Sequence, residues 1–176
     1  MEPREQAKRP VTALAGPYGH PLHPALVAVP IGAWIASFVF DVASHIVDDG
    51  RFLAEGSRWL IGVGVLGALA AASVGFLDLL AIPTGTRVFR TALVHMSINL
   101  TVTAAYVVGF VIRGSHPNSP VPFGPLALSA VALAALTVSG YLGGELAYRY
   151  GVRVADEGTQ AVGYRARTSP NPKERS

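Results

Sequence analysis

Four long apolar segments, separated by short polar links, dominate the chain. They run from Pro24 to Ser44, from Trp59 to Leu80, from Val88 to Ile112 and from Phe123 to Leu146. A hydrocarbon core of roughly 30 Å takes about 20 helical residues to cross, and each segment is long enough. None alternates in polarity as a membrane barrel strand does, and in lipid the backbone must satisfy its own hydrogen bonds. The pattern therefore predicts four transmembrane helices.

The links between these segments favour neighbouring helices that run in opposite directions. Each link is short, as in an up-down bundle. Pro83 and Gly85 in the second link interrupt the helix. Pro30 lies inside the first segment and predicts a kink there. We therefore predict an all-α membrane protein with an up-down bundle of four transmembrane helices. Its transmembrane domain is predicted over residues 20–154, after an N-terminal segment of residues 1–19 and before a disordered tail of residues 155–176.

The composition supports a membrane protein and excludes several classes of site. Hydrophobic residues make up 51% and charged residues 14%, whereas an average soluble domain has about 25% charged residues. The chain has no cysteine, which excludes disulfides, zinc–thiolate sites and cysteine-bound iron–sulfur clusters within it. The basic residues lie in tails and links, so the partner they indicate is the lipid bilayer and not a nucleic acid.

The distribution of basic residues predicts the orientation of the bundle. The net charge is +3, from 14 lysines and arginines against 11 acidic residues. All of these bases lie on the side that holds both termini, except Arg51, Arg58 and Arg113. The positive-inside rule then places both termini in the cytoplasm, an N-in/C-in topology.

The predicted topology brings polar residues from all four helices to the cytoplasmic leaflet. Ionisable side chains within a bilayer are costly and are candidates for function. We expect the cluster to be buried between helices, with its side chains within hydrogen-bond reach. Its members are His20, His23, Asp78, His95, Asn99 and Glu145. At the outer end, His45 follows Asp41 by four residues, which predicts a local ion pair.

Three roles stay open for the inner cluster. The first is an internal hydrogen-bond network in which His95 bonds to Asp78. The second is a site for haem or a divalent metal. The third is a path for protons or a ligand. Imidazole and carboxylate groups suit a divalent metal or iron, but their spacing here selects no particular cofactor, which stays unknown. Gly-x-Ser-x-Gly, P-loop and His-Glu-x-x-His motifs are missing from the sequence, so no catalytic residue is predicted.

Small residues recur along the second and fourth predicted helices. Gly67, Ala71 and Gly75 follow one another at intervals of four, and Ser139 and Gly143 repeat the spacing. Such residues let helix backbones approach closely in lipid. We interpret them as packing positions within one bundle, with a homo-oligomer interface as the alternative.

Several blocks of the sequence resemble the bacterial family called domain of unknown function 2231, which consists of small four-helix membrane proteins. The blocks are GHPLHPALVAVPIGAW, Asp41, GFLDLL, ALVHMSIN and GYLGGELAYRYGV, and they span about residues 16–154. The resemblance implies a multi-pass protein of the bacterial cytoplasmic (inner) membrane. It also implies a Rieske-type or other redox partner, because such domains accompany some members. The chain departs from the family pattern at Ala28 and at Glu145.

Three functional hypotheses follow from the pattern and the resemblance. The first is an accessory module of a membrane redox complex without catalytic activity of its own. The second is a haem- or metal-binding membrane protein that uses the His/Asp cluster. The third is a small transporter or proton-conducting element that uses Asp78, His95 and Glu145.

Overall fold

The computed structural model describes residues 2–115 and 119–164, and every regular element in these two ranges is helical. Two short turns of other helix types accompany the α-helices, a 3-10 turn at Ala13–Ala15 and a π turn at Glu145–Arg149. The α-helices are α1 (Pro3–Lys8), α2 (His23–Leu26), α3 (Ala28–Ala43), α4 (Arg51–Leu80), α5 (Arg87–Ser115), α6 (Phe123–Gly144) and α7 (Glu157–Val162).

Four stretches of helix are long and apolar enough to cross a membrane. They are His23–Ala43, Arg51–Leu80, Arg87–Gly114 and Phe123–Arg149. The predicted fold class, an all-α protein with four membrane-spanning helices, is confirmed. We call the end of the bundle that carries residues 15–25 and 145–156 the terminal end. The opposite end, where residues 44–50 and 119–122 lie, is the loop end.

The first span is broken near its start, as Pro30 predicts. Helix α2 ends at Leu26 and α3 begins at Ala28, with Val27 between them. Proline has no backbone N–H, so Pro30 cannot donate to the carbonyl of Leu26, and its ring crowds that carbonyl.

Helix α4 is longer than its apolar segment. It begins at Arg51, eight residues before Trp59, with Gly50 at its N-cap. Its first turns belong to the bundle because Leu53, Ser57 and Ile61 recur every four residues and are all buried. The polar residues between them hide this continuation from a search for uninterrupted apolar sequence.

An aromatic layer fills the middle of the bundle. The rings of Trp34 and Tyr106 stack, with centroids 4.1 Å apart. Ile61, Val102 and Ala132 complete this buried cluster. A side chain at Gly64 would overlap the indole of Trp34, so glycine lets α4 approach α3 closely here.

The predicted disordered tail is structured over its first residues. Residues 157–162 form α7, because the Asp156 carboxylate accepts a hydrogen bond from the backbone N–H of Thr159 (2.9 Å) and so caps the helix. The hydroxyl of Tyr18 also donates to Asp156 (2.7 Å) and ties the tail to the N-terminal segment. The Tyr18 hydrogen bond and those from Thr159 hold the pKa of Asp156 below its usual range. Residues 165–176, the rest of that predicted tail, lie outside the described residues.

Candidate functional site

Two histidines from different spans lie next to each other in the terminal half of the bundle. His23 opens α2 and His95 lies in the third turn of α5. Their ring centroids are 6.3 Å apart, and the ring planes are nearly perpendicular, at 86°. Asn99 and Ser139 adjoin His95 through hydrogen bonds. We call these four residues the histidine centre.

Each imidazole of the histidine centre is oriented by a backbone carbonyl of another helix. Nδ1 of His23 lies 2.9 Å from the Ala71 carbonyl oxygen, and Nδ1 of His95 lies 2.9 Å from the Ser139 carbonyl oxygen. A carbonyl oxygen only accepts, so Nδ1 is the donor in both rings. In the neutral tautomer this leaves each Nε2 with a lone pair, the arrangement typical of metal-bound imidazoles.

Nε2 of His95 accepts only a weak hydrogen bond, from Asn99. The side-chain nitrogen of Asn99 lies 3.2 Å from it. That nitrogen is closer to the His95 carbonyl oxygen, at 2.8 Å, and to the Ser139 hydroxyl oxygen, at 2.7 Å. Because an amide has two hydrogens, the two shorter contacts use both.

Glycines on the facing helices make room for both rings. A Cβ at Gly75 would come within 2.9 Å of the His23 imidazole, and one at Gly143 within 3.1 Å of the His95 imidazole. Both distances are shorter than ordinary carbon contacts. The small-residue positions on α4 and α6 thus serve packing inside the bundle, and they admit the imidazoles as well as the helix backbones.

Asp78 and Arg153 form a second polar cluster at the terminal end, together with the backbone carbonyls that Arg153 contacts. We call this cluster the terminal clasp. The carboxylate of Asp78 pairs with Arg153, whose Nε lies 2.6 Å away. Nη2 of Arg153 donates to the carbonyl oxygens of Ala15 and Gly16, at 2.9 Å each. The backbone of Arg153 is left-handed (φ 61°), and its N–H donates to the Ala7 carbonyl oxygen. The clasp therefore folds residues 7–16 against the end of the bundle.

A third polar cluster, the loop-end centre, consists of Asp41, Ser57, Tyr106, Arg113 and Ser129. All five are buried, and all four long helices contribute to it. Nη2 of Arg113 lies 2.6 Å from Asp41 Oδ2 and donates to the Ser129 hydroxyl at 3.0 Å. The Ser57 hydroxyl donates to the other carboxylate oxygen of Asp41.

The predicted ion pair between Asp41 and His45 is wrong, because Asp41 pairs with Arg113 instead. Nε2 of His45 lies 2.9 Å from the Val121 carbonyl oxygen, to which it donates. The Ser44 hydroxyl oxygen accepts from the Val121 N–H at 3.1 Å. His45 therefore holds the link between α5 and α6, while the long side chain of Arg113 reaches the carboxylate from a facing helix.

The predicted inner cluster is only partly brought together. His23, His95 and Asn99 meet in the histidine centre, but His95 bonds to Ser139 and not to Asp78. Three members stand apart from these, and Asp78 is one of them, in its pair with Arg153. His20 is exposed beside the Tyr18 carbonyl, and Glu145 pairs with the exposed Arg149 and accepts from Tyr150.

Sequence reasoning missed the two arginines that neutralise the buried aspartates. Arg113 directly follows the third apolar segment, and Arg153 lies seven residues after the fourth, so by sequence both belong to polar regions outside the spans. The signal that points to them is the aspartate inside a span, because a buried charge requires a partner. An arginine at the same predicted depth on another helix is the natural candidate.

The described residues hold no ready-made site for a bare metal ion. Within 2–115 and 119–164, no group of three or more histidine, aspartate or glutamate side chains could hold one. The histidine centre thus offers two imidazoles and no carboxylate.

Comparison with known proteins identifies one family. The family model described as predicted membrane protein (DUF2231) matches residues 19–156, a range that holds the charged and polar side chains of all three polar clusters. No curated protein and no solved structure matches the chain.

Proposed function

The chain belongs to the DUF2231 family of predicted membrane proteins, and on that premise we propose that it is a haem-binding module of a membrane redox complex. The observation that carries the proposal is the pair of imidazoles in the histidine centre. His23 and His95 would hold the haem iron through their imidazoles. Bound haem iron would supply one-electron redox chemistry inside the bilayer.

The spacing of the two rings supports this role. A metal–imidazole nitrogen bond is about 2 Å long, so one ion between two imidazoles holds the ring centres roughly 6 Å apart. The observed distance is 6.3 Å. Two neutral rings packed edge to face have a similar spacing, so the experiment must separate ligation from simple packing.

The number of ligands favours haem over a bare divalent ion. A structural zinc site takes four protein ligands, whereas the described residues hold no group of three or more histidine, aspartate or glutamate side chains that could bind an ion. Haem carries its own four equatorial nitrogens and needs only axial ligands from the protein. The carbonyl of Ala71 and that of Ser139 fix the ring orientation, which is the support that metal-bound histidines ordinarily receive.

The aromatic layer argues against the third hypothesis, a proton or ligand path through the bundle. Trp34, Ile61, Val102, Tyr106 and Ala132 form a buried apolar cluster. It separates the histidine centre from the Asp41–Arg113 ion pair, because Trp34 and Tyr106 each follow a histidine of that centre by 11 residues, or about 16 Å of helix. A haem module needs no continuous polar path.

The proposed setting is the bacterial inner membrane, with both termini in the cytoplasm. The excess of basic residues on the terminal side supports this orientation. The histidine centre would then lie in the cytoplasmic leaflet. Because the chain has no cysteine, an iron–sulfur cluster of Rieske type would belong to a partner protein that exchanges electrons with it.

The test is an absorption spectrum of the protein purified in mild detergent from cells supplied with a haem precursor. We expect a Soret band and a reduced α band, with about one haem per chain by the pyridine haemochrome assay. His23→Ala and His95→Ala should each lose most of the haem. His20→Ala is the matched control, because His20 is exposed and bonds weakly, and it should keep the spectrum.

Two results would overturn the proposal. One is purified wild-type protein without a Soret band after haem reconstitution. The other is haem that remains fully bound in both alanine variants. Metal analysis of the same samples covers the bare-ion alternative, since a stoichiometric metal without porphyrin would assign the two histidines to that ion instead.

A further inference from the structure

The loop-end centre contains buried hydrogen-bond donors that no described residue satisfies. They are Nε and Nη1 of Arg113 and the hydroxyl of Tyr106. Both side chains are more than nine-tenths buried. Nearly all buried donors in proteins have a partner, because a donor removed from water without one carries its full desolvation cost. The unpaired donors therefore point to a ligand.

The acceptors of the loop-end centre are already engaged. One carboxylate oxygen of Asp41 contacts Nη2 of Arg113, and the other accepts from Ser57. The Ser129 hydroxyl oxygen accepts from the same Nη2. What remains is two guanidinium nitrogens that only donate and the Tyr106 hydroxyl, which donates and accepts, so the ligand must be able to accept a hydrogen bond.

The charge and the packing of the centre restrict that ligand further. Asp41 and Arg113 neutralise each other, so an anion would introduce an unbalanced charge into a buried place, at high cost. Trp34 stacks on the Tyr106 ring, which is buried. The remaining class is a small neutral oxygen acceptor.

We infer that the loop-end centre binds water, held by the Tyr106 hydroxyl and the unpaired nitrogens of the Arg113 guanidinium. A buried water molecule typically makes about three hydrogen bonds to groups that would otherwise be unsatisfied. The inference is independent of haem binding, because Tyr106 and Arg113 follow His95 by 11 and 18 residues on α5 and neither belongs to the histidine centre. By this inference, the buried ion pair between Asp41 and Arg113 is hydrated.

Water-edited solid-state NMR of the full chain in lipid bilayers tests this directly. With labelled arginine, tyrosine and tryptophan, magnetisation from water should reach Arg113 Nε and the Tyr106 ring at short mixing times. Trp34 Nε1 is the internal control, because it is equally buried but has the Ile61 carbonyl oxygen within 3.4 Å as its acceptor. Signals from Arg113 and Tyr106 that build up no faster than that of Trp34 would overturn the inference.

The direction in which one substitution changes the melting temperature provides a second test. If water binds the Tyr106 hydroxyl, Tyr106→Phe removes a hydrogen bond, and the melting temperature should fall by about 2–4 °C. If that hydroxyl has no partner, the same change removes a buried unsatisfied group and the melting temperature should rise. Tyr141→Phe is the control, since Tyr141 is 72% exposed, and it should leave the melting temperature unchanged.

A chloride titration separates water from an anion. Ligands that bind only the folded state raise the melting temperature with their concentration. We expect no rise in wild type beyond that in Arg113→Lys when sodium chloride replaces sodium gluconate at constant ionic strength. A rise specific to wild type would assign the site to an anion and overturn the inference.

Discussion

Arg113 and Asp41 meet at 2.6 Å inside the bundle, although 72 residues separate them in the chain. Their helices, α5 and α3, are joined to α4 and α6 at the same place by the hydroxyls of Ser57 and Ser129. The pair thus connects all four spans at the loop end. Its side chains are 5% and 0% exposed, so neither charge is open to bulk solvent.

Asp41→Asn should destabilise the protein strongly. The amide keeps the shape of the carboxylate but leaves the Arg113 charge buried and uncompensated, which costs about 3–5 kcal/mol. Thermal unfolding in detergent, followed by tryptophan fluorescence, measures the loss. Glu145→Gln is the control, because its partner Arg149 is 64% exposed, and pairs of that kind contribute below about 1 kcal/mol. Equal losses in the two variants would contradict this account of the pair.

Gly64→Ala should disrupt the aromatic layer. The new methyl group would overlap the indole of Trp34, and overpacking a closely packed core typically costs about 1–3 kcal/mol. Gly32→Ala is the control on α3, because no atom lies within 4 Å of a Cβ there, and it should be neutral or slightly stabilising. Thermal unfolding measures both. A Gly64→Ala variant as stable as Gly32→Ala would show that α3 and α4 pack less closely than described.

Arg153→Gly should release the N-terminal segment from the bundle. Glycine suits the left-handed backbone at this position, so the change removes the guanidinium without adding backbone strain. Without it, the carbonyls of Ala15 and Gly16 lose their donor and Asp78 loses its partner. Hydrogen exchange of residues 7–16, measured by mass spectrometry, should become faster. The exposed Arg87, changed to alanine, is the charge-matched control and should leave that exchange unchanged.

Tyr18→Phe should raise the pKa of Asp156 toward its usual value. The Tyr18 hydroxyl is the main cause of the low pKa, and hydrogen bonds from Thr159 contribute. Because the folded-state pKa is depressed, the stabilisation of the α7 cap is complete above the unfolded pKa of 3.8 and is lost as the pH falls below it. NMR titration of the Asp156 carboxyl carbon measures the change. An unchanged midpoint in Tyr18→Phe, with Tyr141→Phe as the control, would contradict this assignment.

The spans could be predicted from the sequence because lipid imposes a simple rule on it. A run of about 20 apolar residues is readable without any knowledge of packing, and Pro30 marks the break in the first span through its missing N–H. The start of α4 could not be read in this way. Its first turns contact the bundle through one face only, and the charged residues on the other face interrupt the apolar run.

The sequence shows which polar residues are costly to bury in a membrane, but it does not show which residues pair with them. Asp41, Asp78 and His95 stand out inside apolar segments. Their partners depend on how helices rotate and on how far a side chain reaches. Arg113 and Arg153 belong to links by sequence, yet each extends a long side chain into the protein. Ser139 has no signal of its own, because a serine in a membrane helix is common in packing positions.

The loop-end centre also bears on biogenesis. An arginine in a membrane span is costly to bury, and for Arg113, which lies at the loop end of its span, Asp41 provides the counter-charge. The ribosome makes α3 before α5, so Asp41 is already present when Arg113 is synthesised. A fragment that lacks residues 1–50 should therefore integrate its second remaining span less efficiently, and supplying α3 as a separate peptide should restore it.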